Sequence, residues 1–290
     1  MAKNKILVPI DFSDQSLIAL GQSYNLAREY NAEITLLYVV EDNGFVSRFF
    51  SKQQDDEVKK NIQENLDKIV KDVEKQTGLR VSTMIARGTV YEKVVEVADM
   101  INAVFIIMGT TGSGSIKSRF IGSNALRIVR SSDVPVITIK GKEHRNGCKN
   151  IILPLDLTKE TREKVNFTVE LAKLNNATVH LITVLFTSDE FVVNRLTRQL
   201  QQAKTFVEGA GIKCEAEIIK TVTGEKSVAE AIVDYAHKKD GDLVVIMTQQ
   251  EVNFTQMFIG SSAQEVINKS DVPVLSIIPS MKRKVVFTPY

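Results

Sequence analysis

The sequence has no tryptophan and only two cysteines, Cys148 and Cys214, set far apart. Isolated cysteines provide neither a disulfide framework nor a zinc spacing, and two free thiols suit a reducing compartment. The three histidines, His144, His180 and His237, are equally scattered and build no metal site. His180 alternates with apolar neighbours along a strand and reads as an ordinary packed or surface histidine. No apolar run approaches the roughly 18–20 residues of a membrane helix, so no membrane partner is expected. Met1 to Ile6 runs straight into a strand without a signal-peptide core, and the expected location is cytoplasmic. An excess of either sign of charge is also missing: 37 basic residues face 35 acidic ones. The basic residues are scattered apart from Lys282-Arg283-Lys284, read as a solvated tail. That pattern predicts no nucleic-acid partner, which would need a larger basic face.

What is present begins with an apolar run, Ala103-Val104-Phe105-Ile106-Ile107-Met108, bounded by glycine. It reads as a buried strand. Gly109, Gly112, Gly122 and Ser123 follow it with the spacing Gly-x2-Gly-x9-Gly-Ser, and the residues from Ser123 to Arg130 read as a helix. A strand, a glycine-rich loop and a helix start make a phosphate cradle. Glycine lets backbone N–H groups approach an anion, and the helix start adds unpaired donors and partial positive charge. Each glycine alone also has a plainer reading as a turn or helix-start residue, and Asp11 alone could cap the first helix. Two other phosphate motifs fail. A P-loop needs Gly before Lys117-Ser118, where Ile116 stands, and a dinucleotide fingerprint needs Gly at Lys117.

The chain is also written twice. Val8-Pro9-Ile10-Asp11 returns as Leu153-Pro154-Leu155-Asp156. Phe120-Ile121-Gly122-Ser123 returns as Phe258-Ile259-Gly260-Ser261, and Asp133-Val134-Pro135-Val136 as Asp271-Val272-Pro273-Val274. A repeat of roughly 140 residues is a duplicated domain, since solenoid repeats run about 20–50. Residues 1–143 and 148–290 form the two expected domains, joined by a polar linker from Lys142 to Lys149.

The first half reads as strands at Lys5–Ile10, Glu33–Val40, Arg80–Ala86, Ala103–Met108 and Val134–Lys140. Helices lie between them, the first opened by Ser13 or Asp14, the second spanning Lys52–Thr77. Its stripe is Val58, Ile62, Leu66, Ile69 and Val73. Glu41 to Ser51 reads as a mobile loop and Ser280 to Tyr290 as a tail. Pro135 and Pro273 suit the start of edge strands. The second half repeats the plan, with strands near 150–155, 178–185, 213–220, 242–247 and 272–278. Alternating strands and helices predict an α/β fold, two tandem doubly wound parallel sheets of five strands. Ligands of such sheets sit past the carboxyl ends of the strands. Asp11 and Gly109 would then share one crevice.

Pro9-Ile10-Asp11-Phe12-Ser13 together with the glycine spacing resembles the universal stress protein (UspA) family in its ATP-binding subclass, over nearly the whole chain. The resemblance implies strand order 3-2-1-4-5, the adenine nucleotide alpha hydrolase-like arrangement, and pairing of domains through their fifth strands. Here that gives an internal pseudo-dimer, with a homodimer as a further option. It implies that Asp11 bonds the adenosine part and that the backbone of Val39 meets the adenine edge. Met108 and Gly109 would line the ribose and phosphate approach, while Gly112, Gly122 and Ser123 would hold the phosphates. The implied ligand is ATP, with or without Mg²⁺.

The second half keeps Asp156 and Gly260-Ser261 but not the first two glycines. Met247, or Thr248 with a one-residue gap, takes the place of Gly109. Gln250 or Gln249 replaces Gly112, and Glu251 follows. Side chains crowd the backbone approach and the carboxylate repels phosphate, so the second half is expected to act as pairing partner. The functional expectation is a nucleotide-dependent regulatory module in stress response with an unidentified protein partner. The alternatives are a slow ATPase or autophosphorylating enzyme using Ser113, Ser115 or Ser123, and a nucleotide-free interaction protein. Lys117 and Arg119 could reach a γ-phosphate or simply be solvated. No residue stands out as a catalytic base.

Overall fold

Ile6, Leu7 and Val8 are wholly buried in β1 (Lys5–Pro9), as befits a strand covered on both faces. The computed structural model describes residues 4–41, 52–111, 121–141, 147–156, 161–222, 225–248 and 260–278. In the first half β1 is followed by α1 (Asp14–Glu29), β2 (Glu33–Val40), α2 (Lys52–Thr77), β3 (Val81–Arg87), α3 (Val90–Met100), β4 (Ala103–Gly109), α4 (Ser123–Ser131) and β5 (Val136–Ile139). The second half runs β6 (Asn150–Pro154), α5 (Thr161–Asn175), β7 (Thr178–Leu185), α6 (Glu190–Gly209), β8 (Lys213–Lys220), α7 (Val228–Lys238), β9 (Leu243–Met247), α8 (Ser261–Lys269) and β10 (Val274–Ile277).

Alternation along the strands divides the core into two layers. Ile6, Val8, Phe105 and Ile107 pack with Ala19 and Leu20 of α1 and Leu66 and Val73 of α2. Leu7 and Ile106 pack on the other face with Val94 and Ala98 of α3 and Ile128 of α4. Of the expected α2 stripe, Ile62, Leu66 and Val73 are buried, while Val58 near the helix start is exposed.

The ten strands form one sheet in the order β3-β2-β1-β4-β5-β10-β9-β6-β7-β8. Each half therefore shows the 3-2-1-4-5 order that the resemblance implied. β5 and β10 meet antiparallel, with Thr138 opposite Val274 and Ile137 opposite Leu275. The expectation that Pro135 and Pro273 begin edge strands is corrected by this seam, because β5 and β10 lie at the centre of the sheet. Each proline precedes the first residue of its strand, so its missing N–H costs no ladder bond. Their carbonyls still accept, from Ile106 N–H at 3.0 Å and Val244 N–H at 2.9 Å.

Most of the expected loop from Glu41 to Ser51, most of the linker and all of the expected tail from Ser280 to Tyr290 lie outside the described residues. Among the described residues, no helix is long and apolar enough to cross a membrane.

Candidate functional site

β2, β1 and β4 are parallel neighbours, so their carboxyl ends open on one edge of the sheet. Just past β1, the Ile10 N–H donates to the Leu37 carbonyl at 2.8 Å. The chain then turns sharply at Phe12, whose φ of 62° is in the left-handed region. A bulky residue there is strained, and such strain collects at functional sites. The turn is held by Asp11, whose Oδ1 accepts the Ser13 N–H at 3.0 Å and the Ser13 hydroxyl at 2.5 Å. Ser13 is the N-cap of α1, its Oγ accepting the Ser16 N–H at 3.3 Å. Asp11 thus does not cap the helix itself. It braces the residue that does.

The Phe12 ring stacks on Tyr38 of β2, with centroids 5.1 Å apart and planes at 29°. Burial, and then the charges of Asp11 and Glu41, push the Tyr38 phenol above its ordinary pKa. Val39 follows Tyr38 and is half-buried at the same end of β2. Neither Phe12 nor Tyr38 stood out in the sequence. The signal available was an aromatic directly after Asp11, which has no meaning until β1 and β2 are adjacent.

β4 ends with Met108, which is buried, and Gly109. A Cβ on Gly109 would lie 3.0 Å from Gln15 Cβ and 3.1 Å from the Gln15 carbonyl oxygen. Glycine here lets the first turn of α1 cross β4 closely. Next, the Thr110 N–H donates to the Ile139 carbonyl at 2.9 Å, and the Thr110 carbonyl accepts the Gly122 N–H at 2.7 Å. The chain therefore leaves β4 and comes back to the same point. Gly122 is the N-cap of α4 and has no side-chain oxygen to satisfy the first N–H groups, and Ser123 is exposed on the first turn. Gly112 lies outside the described residues, as do Ser113, Ser115, Lys117 and Arg119.

Two buried polar atoms beside the Gly109–Gly122 approach, Gln15 Oε1 and Thr110 Oγ1, have no hydrogen-bond partner among the described residues. Buried polar atoms are normally paired, and an orphan asks for a ligand or water. The strand ends thus carry helix-start N–H groups, hydroxyls and a braced carboxylate, with Val39 and Met108 packed in the core layer beneath. That donor set fits a molecule with an anionic end and a planar or apolar end. Among the described residues, no three His, Cys, Asp or Glu side chains gather closely enough to hold a metal ion.

The second half differs at the corresponding place. β9 pairs Met247 with Ile277 as β4 pairs Gly109 with Ile139. The Thr248 N–H donates to the Ile277 carbonyl at 3.0 Å, as Thr110 does to Ile139. Met247, rather than Thr248, therefore stands where Gly109 stands. Its side chain packs against the core layer that α1 covers in the first half. Asp156 is exposed after β6, and Gly260 is the uncapped N-cap of α8. Gln249, Gln250 and Glu251 lie outside the described residues.

A separate cleft of about 640 Å³ lies between β8 and α7, lined in part by Phe186, Glu217, Lys226, Asp234, Tyr235 and Lys238. Its charges answer one another: Lys226 lies 2.5 Å from Asp234 and Lys238 lies 3.7 Å from Glu217. Close by, His180 is buried as a packed strand residue, its Nδ1 3.3 Å from the Glu215 carboxylate. Burial lowers its pKa, and Glu215 pulls the other way.

The family model described as the universal stress protein family matches this chain twice, over residues 3–140 and 147–277. A universal stress protein of Methanocaldococcus jannaschii, MJ0531, is 33% identical over 139 residues, covering 47% of this chain and 81% of its own. Universal stress protein YxiE of Bacillus subtilis is 28% identical, covering 47% of this chain and 99% of its own. Among solved structures, a universal stress protein from Archaeoglobus fulgidus aligns over 95% of this chain and 96% of its own, with a TM-score of 0.74 at 20% identity. That last likeness is one of fold, and it spans both halves. The chain belongs to the universal stress protein family, as two copies of the domain in tandem.

Proposed function

We propose that the chain binds an adenine nucleotide, ATP with Mg²⁺ carried on its phosphates, in the first half and serves as a nucleotide-dependent regulatory module. The observation that carries the reading is the close return at Thr110–Gly122. It brings the uncapped start of α4 back to Thr110, directly after Gly109. Phosphate would take the N–H groups at Gly122 and Ser123 and the Ser123 hydroxyl, where helix-start charge favours an anion. Asp11 would accept hydroxyl donors of the ribose, and Val39 would offer backbone groups to the base. Gly112 would complete the phosphate set. In the second half, Met247 stands at the position of Gly109 and packs on the core, which supports a role there as structural partner.

A slow ATPase is the second reading, favoured by the exposed Ser123 hydroxyl at the phosphate end. Against it, no described side chain at the site is placed as a base for water. The test is the nucleotide content of gently purified protein, read by ion-exchange chromatography after denaturation. About one ATP per chain is expected. Two per chain would overturn the reading of the second half. None, with no heat on titrating Mg²⁺ and ATP, would overturn nucleotide binding altogether. Repeated phosphate release by the loaded protein would favour the ATPase reading.

A further inference from the structure

The second half reaches into the first at one end of α8. Asn268, in the last turn of that helix, accepts the Ile121 N–H on its side-chain Oδ1 at 2.7 Å. Ile121 directly precedes Gly122, the N-cap of α4. The backbone carbonyl of the same Asn268 accepts the Lys140 ammonium, which comes from the residue after β5. A cation suits that place, since the last carbonyls of a helix are unpaired and carry partial negative charge. Gly141 meets the second half backbone to backbone, because a Cβ there would lie 2.4 Å from the Asp271 carbonyl oxygen. Three points thus dock the end of α8 and the residues just after it onto the first half.

Among the described residues, the side-chain acceptor in this docking comes from the second half. The position matching Asn268 in α4 is Arg130, by the alignment of Ser123–Ser131 with Ser261–Lys269. A guanidinium has no acceptor to offer a backbone N–H. The position matching Lys140 is Ile278, which has no charge. The half with its glycines receives the support, and the half without them supplies it.

From this we infer that Asn268 is a positioning residue for the first half's nucleotide site, holding the start of α4 so that its N–H groups stay aimed at phosphate. The inference rests on the nucleotide reading above. It gives the second half a direct part in a site it does not itself contain, through one hydrogen bond across the seam. It also ties phosphate occupancy at α4 to the end of α8, and so to the surface of the other half.

The experiment is calorimetric titration of Mg²⁺–ATP and, separately, of adenosine into the full chain and two variants. Asn268→Leu keeps the bulk and removes the acceptor. Asn268→Asp keeps the acceptor. Neither touches the backbone carbonyl that Lys140 uses, and thermal melts check that both fold. For Asn268→Leu, ATP binding about five- to tenfold weaker is expected, the worth of one hydrogen bond, with adenosine binding unchanged. Asn268→Asp keeps the acceptor but adds a charge that repels phosphate, so it is expected to bind ATP more tightly than Asn268→Leu and less tightly than the unaltered chain, with adenosine unchanged. If ATP and adenosine weaken together, or if Asn268→Leu binds ATP normally, the positioning role is overturned while nucleotide binding stands. If the unaltered chain binds no ATP, the nucleotide reading itself falls and takes this role with it.

Discussion

Gly109 and Gln15 approach so closely that a Cβ on the glycine would sit 3.0 Å from the glutamine Cβ. The glycine is therefore demanded by packing as well as by any ligand. Gly109→Ala makes Gln15 and the first turn of α1 give way slightly, and overpacking of this kind costs about 1–3 kcal/mol. Because Asp11 and Ser13 lie at that turn, nucleotide affinity is expected to fall with stability. Urea unfolding and ATP titration on the same variant measure both. Full stability with weakened binding would mean that only the ligand needs the glycine.

Asp11→Ala is expected to weaken adenosine and ATP alike, because both present the same ribose to the carboxylate. A lost hydrogen bond to a charged group is worth about 1.5–3 kcal/mol, or roughly ten- to a hundredfold in affinity. This pattern is the opposite of the one expected for the phosphate end of the site. Titration of the two ligands in parallel separates them. Unequal losses would place Asp11 away from the ribose.

The seam between the halves is sensitive at Gly141. Its added Cβ would meet the Asp271 carbonyl oxygen at 2.4 Å, and both partners are backbone. Gly141→Ala is expected to lower stability by about 1–3 kcal/mol. Faster amide exchange should be confined to β5 and β10. Hydrogen exchange read by mass spectrometry checks the location. Exchange that rises evenly over the chain would show that the two halves do not separate at this ladder.

His180 predicts a pH dependence of stability. Its pKa in the folded chain is lowered from 6.5, with burial as the larger cause. The unfolded chain therefore takes up a proton at a higher pH than the folded one. The contribution is fully present above pH 6.5 and declines as pH falls from there toward the lower folded value. The groups facing the ring are Glu215, Asn150 and Tyr235, with the Lys239 ammonium beyond Glu215. His180→Gln should flatten the melting temperature across that range relative to the unaltered chain. An unchanged slope would assign it to other groups.

Much of the architecture was legible from local pattern. The apolar runs at 103–108 and 33–40 are short and rich in β-branched residues and so read as strands, and α2 matched Lys52–Thr77 because its stripe has helical spacing. Ser13 or Asp14 as the cap followed from a side-chain oxygen placed before a helix, and the structure selects Ser13. Proline misled, because its preference for edges concerns a missing N–H within a ladder. Pro135 and Pro273 stand one step outside theirs, leaving β5 and β10 free to pair at the centre.

The candidate site divides in the same way. Asp11, Gly122 and Ser123 announced themselves because they recur in order as Asp156, Gly260 and Ser261, and Gly109 because it ends an apolar run. The sequence alone settled that there are two copies of one α/β unit and that only the first keeps its glycines. Phe12 against Tyr38, Gln15 against Gly109 and Asn268 against Ile121 were invisible, because each pair meets across elements that the chain separates. The choice between Met247 and Thr248 was likewise open until the register with Ile277 was known. Strand and helix are set by short-range periodicity, which one chain segment carries by itself. Register, the close crossing of α1 over β4 and the docking of α8 are set by packing between distant segments, and only the tertiary structure decided them.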